Sequence, residues 1–455
     1  MTSNEISQNF LKLFYFLLYV FGAYLVIDLS PPMFPEIVAD SDSYFDHESS
    51  RKAIYPLILK LCEIFQLNII EIQKVFLSLS LIMLFFSLKK IKIHITLRIL
   101  FLFLILGNIY YTSFSKVILT EAFFFGSINI LISLLILNKL DNIFCLFISG
   151  LLVGFIASLK SIGILLALIF LIFSVIIIKK KTYINILTLL FAVILFPIIE
   201  HYYFFSKNSS RSSVLPIALI GKAYMLSGLE EFKIKKYPPE FKNLFLTSKE
   251  EFKKIQSFLS HINNPLLRAD LSSDYETVAQ YQLFKGELRN TGKLLNKKES
   301  ELSGVIIKNL IKNNFIELIN LSLLNYLGLW SIGSKHIFFE KYLEQENILV
   351  PLHKELKISS GKITKINKNI LMLALSYFII IFLSFLFLTI FIILKMNNLF
   401  FKKNLYLIFF TLSSQIYLLL VGITNVATPR YLMTVYPMIL IALFLSYNLI
   451  KYLKK

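Results

Sequence analysis

The chain has 455 residues, 56% of them hydrophobic and 16% charged, with a formal net charge of +19 and a mean hydropathy of +0.70. Soluble globular chains carry about 25% charged and about 45–50% apolar residues, so this composition excludes a soluble enzyme, a disordered chain and a disulfide-stapled secreted module. The basic excess does not argue for nucleic acid, because much of it lies in short Lys clusters beside apolar runs, where membrane topology accounts for it.

A membrane-spanning helix needs about 20 mostly apolar residues. In chain order, the runs 10–27, 70–88, 97–112, 118–138, 143–159, 161–178 and 183–204 qualify, followed by a long polar stretch and then 370–394, 404–423 and 431–450. The first run lacks a basic leading segment and a small-residue cleavage site, so it reads as a retained span rather than a signal peptide. The expected fold is an all-α polytopic membrane protein of about ten transmembrane helices. A mainly helical extracytoplasmic insertion is expected between spans seven and eight. The expected parts are an N-terminal membrane domain (1–204), an extracytoplasmic loop domain (205–369) and a C-terminal membrane domain (370–455).

Orientation follows from Lys and Arg in the short loops. Alternation from a cytoplasmic N-terminus puts Lys89, Lys90 and Lys92, then Lys179-Lys180-Lys181, Lys402-Lys403 and Lys451, Lys454 and Lys455 on the cytoplasmic side. That makes both termini cytoplasmic, in what reads as a bacterial inner membrane. It also puts Cys62 and Cys145 on opposite sides, as packing residues rather than a disulfide pair.

Within 205–369, helices are expected at 248–262 and 272–290, the latter opening on Ser272 or Ser273 as N-cap. Residues 304–330 carry Lys308, Lys312 and Glu317 in an apolar, helix-periodic pattern. They read as an interfacial helix with Tyr326 and Trp330 at headgroup depth, not as a further span. There is no Walker loop, no GxGxxG after a strand, no HExxH and no internal repeat, so nucleotide hydrolysis has no support.

Polar residues near the outer ends of spans are the informative ones. The first outer loop crowds Asp40, Asp42, Asp46, His47 and Glu48 ahead of Arg51 and Tyr55-Pro56. A carboxylate there can serve as a general base, although the same acids also suit a solvated loop. Glu121 opens the fourth span, as a helix-start residue or a site carboxylate. Lys160 sits in the tight turn between spans five and six, as a snorkelling lysine or a ligand. Arg430-Tyr431 stand at the mouth of the last span, with Pro437 within it. Arg suits bidentate phosphate binding, and equally an interfacial anchor.

An acidic first outer loop followed by R-x-x-x-Y-P, a T-E-x-F-F span start, G-x-x-x-G-x-x-x-x-x-K before the sixth span and P-R-Y-x-x-x-x-x-P near the C-terminus resembles the GT-C superfamily. These are integral membrane glycosyltransferases, including the protein mannosyltransferase and aminoarabinose transferase relatives, that use lipid-linked sugar donors. The resemblance covers the membrane part. It implies an essential acid at Asp42 or Asp40, a second acid at Glu121, and Arg51, Lys160 and Arg430 as cations for the donor phosphate. It leaves the cofactor open, a divalent cation included. The implied partners are a polyprenyl-phosphate sugar donor, membrane lipid and an acceptor that is a glycan, lipid or protein, but no nucleic acid. The implied work is cell-envelope polysaccharide biosynthesis on the outer face. The competing readings are an O-antigen polymerase or ligase type protein and a polysaccharide or lipid transporter. Transporters usually show broken helices in paired halves.

Overall fold

A computed structural model of the protein describes residues 3–46, 48, 51–137, 142–178, 183–206, 215–280, 284–338 and 368–453. Every secondary-structure element among them is helical. The chain separates into two compact units: Met1–Arg211 with Leu394–Ser414 and Met433–Lys455, and Ser212–Ile393 with Gln415–Leu432. His47, Lys179, Lys180, Lys181, Lys454 and Lys455 lie outside the described residues.

The described chain runs through α1 (Ser3–Leu29), α2 (Ala39–Phe45), α3 (Ile54–Ile64), α4 (Ile69–Ser87), α5 (Ile95–Leu106), α6 (Ile109–Ser113), α7 (Glu121–Leu137), α8 (Ile143–Leu159), α9 (Gly163–Ile177) and α10 (Tyr183–Ser206). The longer apolar helices fall on the apolar runs of the sequence. The run 97–112, however, is broken: Ile95–Leu106 and Ile109–Lys116 meet at 58°. Gly107 is a poor helix former, and Asn108 starts the second piece as its N-cap, its side chain accepting from Tyr111 N. The helices α7, α8 and α9 have 17, 17 and 15 residues. At 1.5 Å per residue they reach about 26 Å at most, less than the roughly 30 Å of hydrocarbon.

Helix packing in this unit uses small residues. A Cβ added at Gly150 of α8 would lie 2.7 Å from the Leu189 carbonyl oxygen of α10, and one at Gly154 would clash with the Val193 carbonyl. Two glycines four apart on one helix face let the two backbones touch. Farther along, Phe173 of α9 stacks on Phe409 at 3.5 Å between centroids.

The second unit contains α11 (Leu215–Ser227), α12 (Pro239–Ser260), α13 (Pro265–Val278), α14 (Phe284–Leu295), α15 (Glu299–Asn313), α16 (Phe315–Gly328) and α17 (Ser334–Phe338). It has its own core, built on Tyr224, Phe245, Phe252, Ile255, Tyr275 and Ile306. The expected helix 248–262 is the C-terminal part of α12. The expected 272–290 is divided: α13 begins earlier, at Pro265, where the Asn264 side chain accepts from the amides of Leu266 and Leu267. Ser272 and Ser273 are therefore buried mid-helix residues, not N-caps. Asn-Pro is the stronger start signal, because Pro at the first helical position lacks the amide that would go unbonded.

Residues 304–330 do not form one helix either; the chain breaks at Asn314 between α15 and α16. Tyr326 and Trp330 are buried in protein rather than exposed at headgroup depth. Trp330 packs 5.2 Å from Phe382, and the Tyr326 hydroxyl accepts from Gln415 Nε2 at 2.8 Å. The remaining helices are α18 (Lys368–Lys395), which carries Phe382, α19 (Asn398–Lys403), α20 (Leu405–Thr424) and α21 (Pro429–Leu453). Among the described residues, α1, α4, α10, α18, α20 and α21 are the 6 helices long and apolar enough to cross a membrane, or 7 spans if the bent pair counts as one. This is a helical protein of membrane type, with fewer helices of full spanning length than the sequence reading expects.

Candidate active site

The site of the first unit is assembled from the segments that follow α1 and α6. Pro31, Pro32 and Pro35 follow α1 and prevent it from continuing. The loop is then tied to the segment after α6. Met33 N donates to Ser113 Oγ at 3.1 Å, Ile118 N donates to the Glu36 carbonyl at 2.9 Å, and Ser41 Oγ donates to the Ile118 carbonyl at 2.9 Å.

On the short helix α2, residues 40, 43 and 44 share one face because they are three and four positions apart. Arg51 folds back across that face. Its Nη2 donates to Asp40 Oδ1 at 2.6 Å and its Nε to Ser43 Oγ at 2.7 Å. The guanidinium lies 5.0 Å from the Tyr44 ring centroid. Asp42 is on the opposite, exposed face.

Tyr44 is buried and meets Tyr55 edge-on, with ring centroids 5.0 Å apart. Burial pushes its phenol up to about 12, against the Arg51 charge, while Glu121 and Asp40 push it the same way as burial and a hydrogen bond with the Thr120 side chain pulls it down. Tyr44 therefore lies within electrostatic reach of three of the sequence-predicted site residues, and stays neutral at ordinary pH. Tyr55 donates to Gln73 Oε1 at 2.8 Å, and Gln73 Nε2 donates to the carbonyls of Ser115 and Val117. Burial raises the Tyr55 phenol as well.

Glu121 is the first residue of α7 and is fully buried. Its Oε1 accepts from Lys160 Nζ at 2.5 Å, and Thr120 Oγ1 donates to its Oε2 at 3.3 Å. Lys160 is the C-cap of α8 in extended conformation, with its ammonium 5.6 Å from the Phe124 ring centroid. A buried carboxylate is tolerated only with a hydrogen-bonded partner, and the turn after α8 supplies it. Tyr44 also lines a cavity of about 480 Å³ together with Phe45, Pro56, Leu59, Cys62 and Ile69, with Lys60 and Glu63 among its polar residues.

Three of the four predicted places thus come together: Asp40 with Arg51, and Glu121 with Lys160, with Tyr44 in electrostatic reach of Asp40, Arg51 and Glu121. Arg430 belongs to the second unit. It follows Pro429 at the start of α21, its guanidinium 5.4 Å from the Tyr431 ring centroid. Among the described residues no group of three or more His, Cys, Asp or Glu is arranged to hold a metal ion.

The sequence reading missed three lysines that pair with carboxylates. Lys52 Nζ meets Glu200 Oε2 at 3.0 Å with both side chains nearly buried. Lys74 bridges Asp28 at 2.6 Å and Glu71 at 2.7 Å. In the second unit, Lys222 and Glu276 pair at 2.9 Å with no exposed side-chain surface at all. The available signal was an ionisable residue inside an apolar run, as Glu200 is within 183–204 and Lys74 within 70–88. Burial pulls the Lys222 ammonium down, against Glu276, which pushes it up.

No family model, curated protein or solved structure matches the chain.

Proposed function

We propose that the protein is a membrane glycosyltransferase that moves a sugar from a polyprenyl-phosphate-linked donor to a glycan, lipid or protein acceptor on the outer face of the membrane. The observation that carries this reading is two carboxylate–cation pairs, Asp40–Arg51 and Glu121–Lys160, linked electrostatically through the buried Tyr44, which also lines a cavity. The resemblance to GT-C enzymes in motif order supports it. The accompanying topology has about ten spans, both termini cytoplasmic, residues 205–369 extracytoplasmic, and a bacterial inner membrane as its setting.

The reaction needs a proton acceptor and a stabilised leaving group. The acceptor hydroxyl attacks the anomeric carbon of the donor sugar, the bond from that carbon to the phosphate oxygen breaks, and the phosphate leaves with the electron pair. The hydroxyl proton goes to a carboxylate. Arg51 and Lys160 are suited to stabilise the leaving phosphate, Arg51 through its planar fork and Lys160 as a point charge. In the unliganded protein both cations are held by carboxylates, which occupy the positions phosphate oxygens would take. A bound donor phosphate draws Arg51 from Asp40 and Lys160 from Glu121, leaving both carboxylates able to accept a proton. This geometry favours Asp40 over Asp42 as the base, with Glu121 supporting the same pocket. Arg430 is a separate candidate for phosphate contact, on its sequence context alone.

Transfer from a radiolabelled polyprenyl-phosphate sugar in proteoliposomes tests the reading. Loss of a general base costs about 10²–10⁴-fold in rate. Asp40→Asn should show that loss and Asp42→Asn should not. Full activity in the Asp40→Asn/Asp42→Asn double variant would defeat the mechanism. The bend between α5 and α6 is the one observation that favours a transporter. Such folds repeat a broken helix in a second half, whereas the described residues contain one bent pair. Uptake of a lipid-linked sugar without transfer would select that reading.

A further inference from the structure

In the second unit, the chain between α20 and α21 leads into Arg430, the second residue of α21, and is held by side chains of α11, α13 and α16. Lys222 Nζ donates to the Asn425 carbonyl at 3.2 Å, and Asn325 Nδ2 reaches the same oxygen at 3.4 Å. Ser273 Oγ donates to the Ala427 carbonyl at 2.9 Å. The Asn425 side chain in turn accepts from the Tyr431 hydroxyl at 3.3 Å, and the Tyr431 ring lies under the Arg430 guanidinium. A continuous series of contacts therefore runs from Lys222 to Arg430.

The ammonium at the head of that series is fixed by Glu276. Lys222 donates to both carboxylate oxygens, at 2.9 and 3.2 Å, and Asn325 Nδ2 donates to Glu276 Oε2 at 2.7 Å. Close approach of α11 to α13 makes this possible: a Cβ at Gly221 would lie 2.7 Å from the Glu276 carbonyl oxygen. A buried ion pair is a weak source of stability, since apolar residues of the same shape often do as well. What apolar residues cannot do is hold a carbonyl oxygen at a set place.

We propose that the Lys222–Glu276 pair is a positioning device that fixes the 424–430 connection and with it the Arg430 guanidinium, and so governs affinity for a phosphate at Arg430. The proposal rests on the reading of Arg430 as a phosphate ligand. It makes Lys222, Glu276 and Asn325 positioning residues, acting through Asn425 and Tyr431 rather than on the substrate.

The informative variant is Lys222→Met/Glu276→Leu in the full-length protein, which keeps the packing and removes the charged, shorter of the two donors to the Asn425 carbonyl together with the carboxylate that holds Asn325. A single Glu276→Gln leaves the lysine without its counter-charge and serves as the unstable comparison. Amide exchange at Asn425–Thr428 and binding of farnesyl phosphate in detergent are measured together. Loss of a hydrogen bond to a charged group corresponds to about tenfold or more. The double variant should melt like the parent, exchange those amides about tenfold faster with α20 unchanged, and bind farnesyl phosphate about tenfold more weakly. Unchanged exchange overturns the pinning. Faster exchange with unchanged binding, where Arg430→Ala does weaken binding, overturns the link to Arg430. If Arg430→Ala binds farnesyl phosphate as the parent does, Arg430 is no phosphate ligand; the proposal then falls with that assignment, and Asp40→Asn still tests the transferase reading.

Discussion

Glu121 and Lys160 show how one buried contact carries two separable consequences. The carboxylate is fully buried at the start of α7, so its stability depends on the ammonium that meets it at 2.5 Å. Removing one partner of a buried pair costs about 3–5 kcal/mol, because the other charge is left without compensation. Lys160→Met should therefore lower the thermal midpoint of the detergent-solubilised protein sharply. Adding Glu121→Leu should restore most of that stability, since the stranded charge is gone. Transfer should stay abolished in both, because both lack the Lys160 cation and the double variant lacks the Glu121 carboxylate as well. Recovery of transfer in the restored double variant would reduce the pair to a structural role. The identity of these residues was legible in the sequence, as polar residues at the outer ends of apolar runs. Their mutual pairing was not, since α7 and α8 each contribute one partner and only helix packing brings residues 39 positions apart in sequence to contact. Asp40 and Asp42 illustrate the same limit at closer range. Both are plausible bases by composition, and only the short helix α2 puts one with Arg51 and the other on the exposed face.

At the scale of elements, the glycines of α8 do what longer side chains cannot. The spacing Gly150-x-x-x-Gly154 lies within the same motif that ends in Lys160, and it brings α8 against the backbone of α10. Helix association within lipid relies on such close packing rather than on the hydrophobic effect. Gly154→Val should separate the two helices, with a cost of about 1–3 kcal/mol or more from overpacking. It should also move Lys160, at the end of α8, and Glu200, on α10, from their partners. A cysteine cross-link between α8 and α10, efficient in the parent and lost in the variant, reads this directly. Gly22→Val on α1 is the control, as nothing lies within 4 Å of a Cβ there; equal damage from both would reject the packing role. Helix existence was well read from hydropathy. Boundaries and breaks were not, because Gly107-Asn108 and Asn314 interrupt apolar runs that a window average treats as continuous. Asn264-Pro265 starts a helix in a stretch with little periodicity to announce it.

For the whole molecule, the topology is the prediction that all others depend on. Four basic clusters in the sequence argue for cytoplasmic termini, and the proposed topology puts residues 205–369 outside the cytoplasm. Single cysteines at Ser257, an exposed position on α12, and at Lys454 should label from opposite sides in a chain whose two native thiols have been replaced. The first should react with an impermeant reagent from outside and the second only after the membrane is opened. Reaction of position 257 from the cytoplasmic side alone would overturn both the topology and the site built on it. The buried network around Lys222 was beyond sequence reading altogether, since the region has no motif that names it and its partners come from α11, α13, α16 and the segment before α21.

The shortness of α7, α8 and α9 has a consequence for the surrounding lipid. Taken as spans, these consecutive helices of 17, 17 and 15 residues fall some 4–8 Å short of a typical hydrocarbon core, at about 1.5 Å of rise per residue. Hydrophobic mismatch of that sign is relieved by thinning the bilayer beside the short helices. On the proposed topology the thinning falls beside α9, which exposes Ile164, Leu168, Ile172 and Ile176 and follows directly on the Lys160 turn. A lipid with a long isoprenoid tail and a charged head meets its smallest barrier to lateral entry where the membrane is thinnest. On the proposed function the thinned bilayer is a shallow approach to the Lys160 turn, so transfer should fall in thicker, long-chain bilayers.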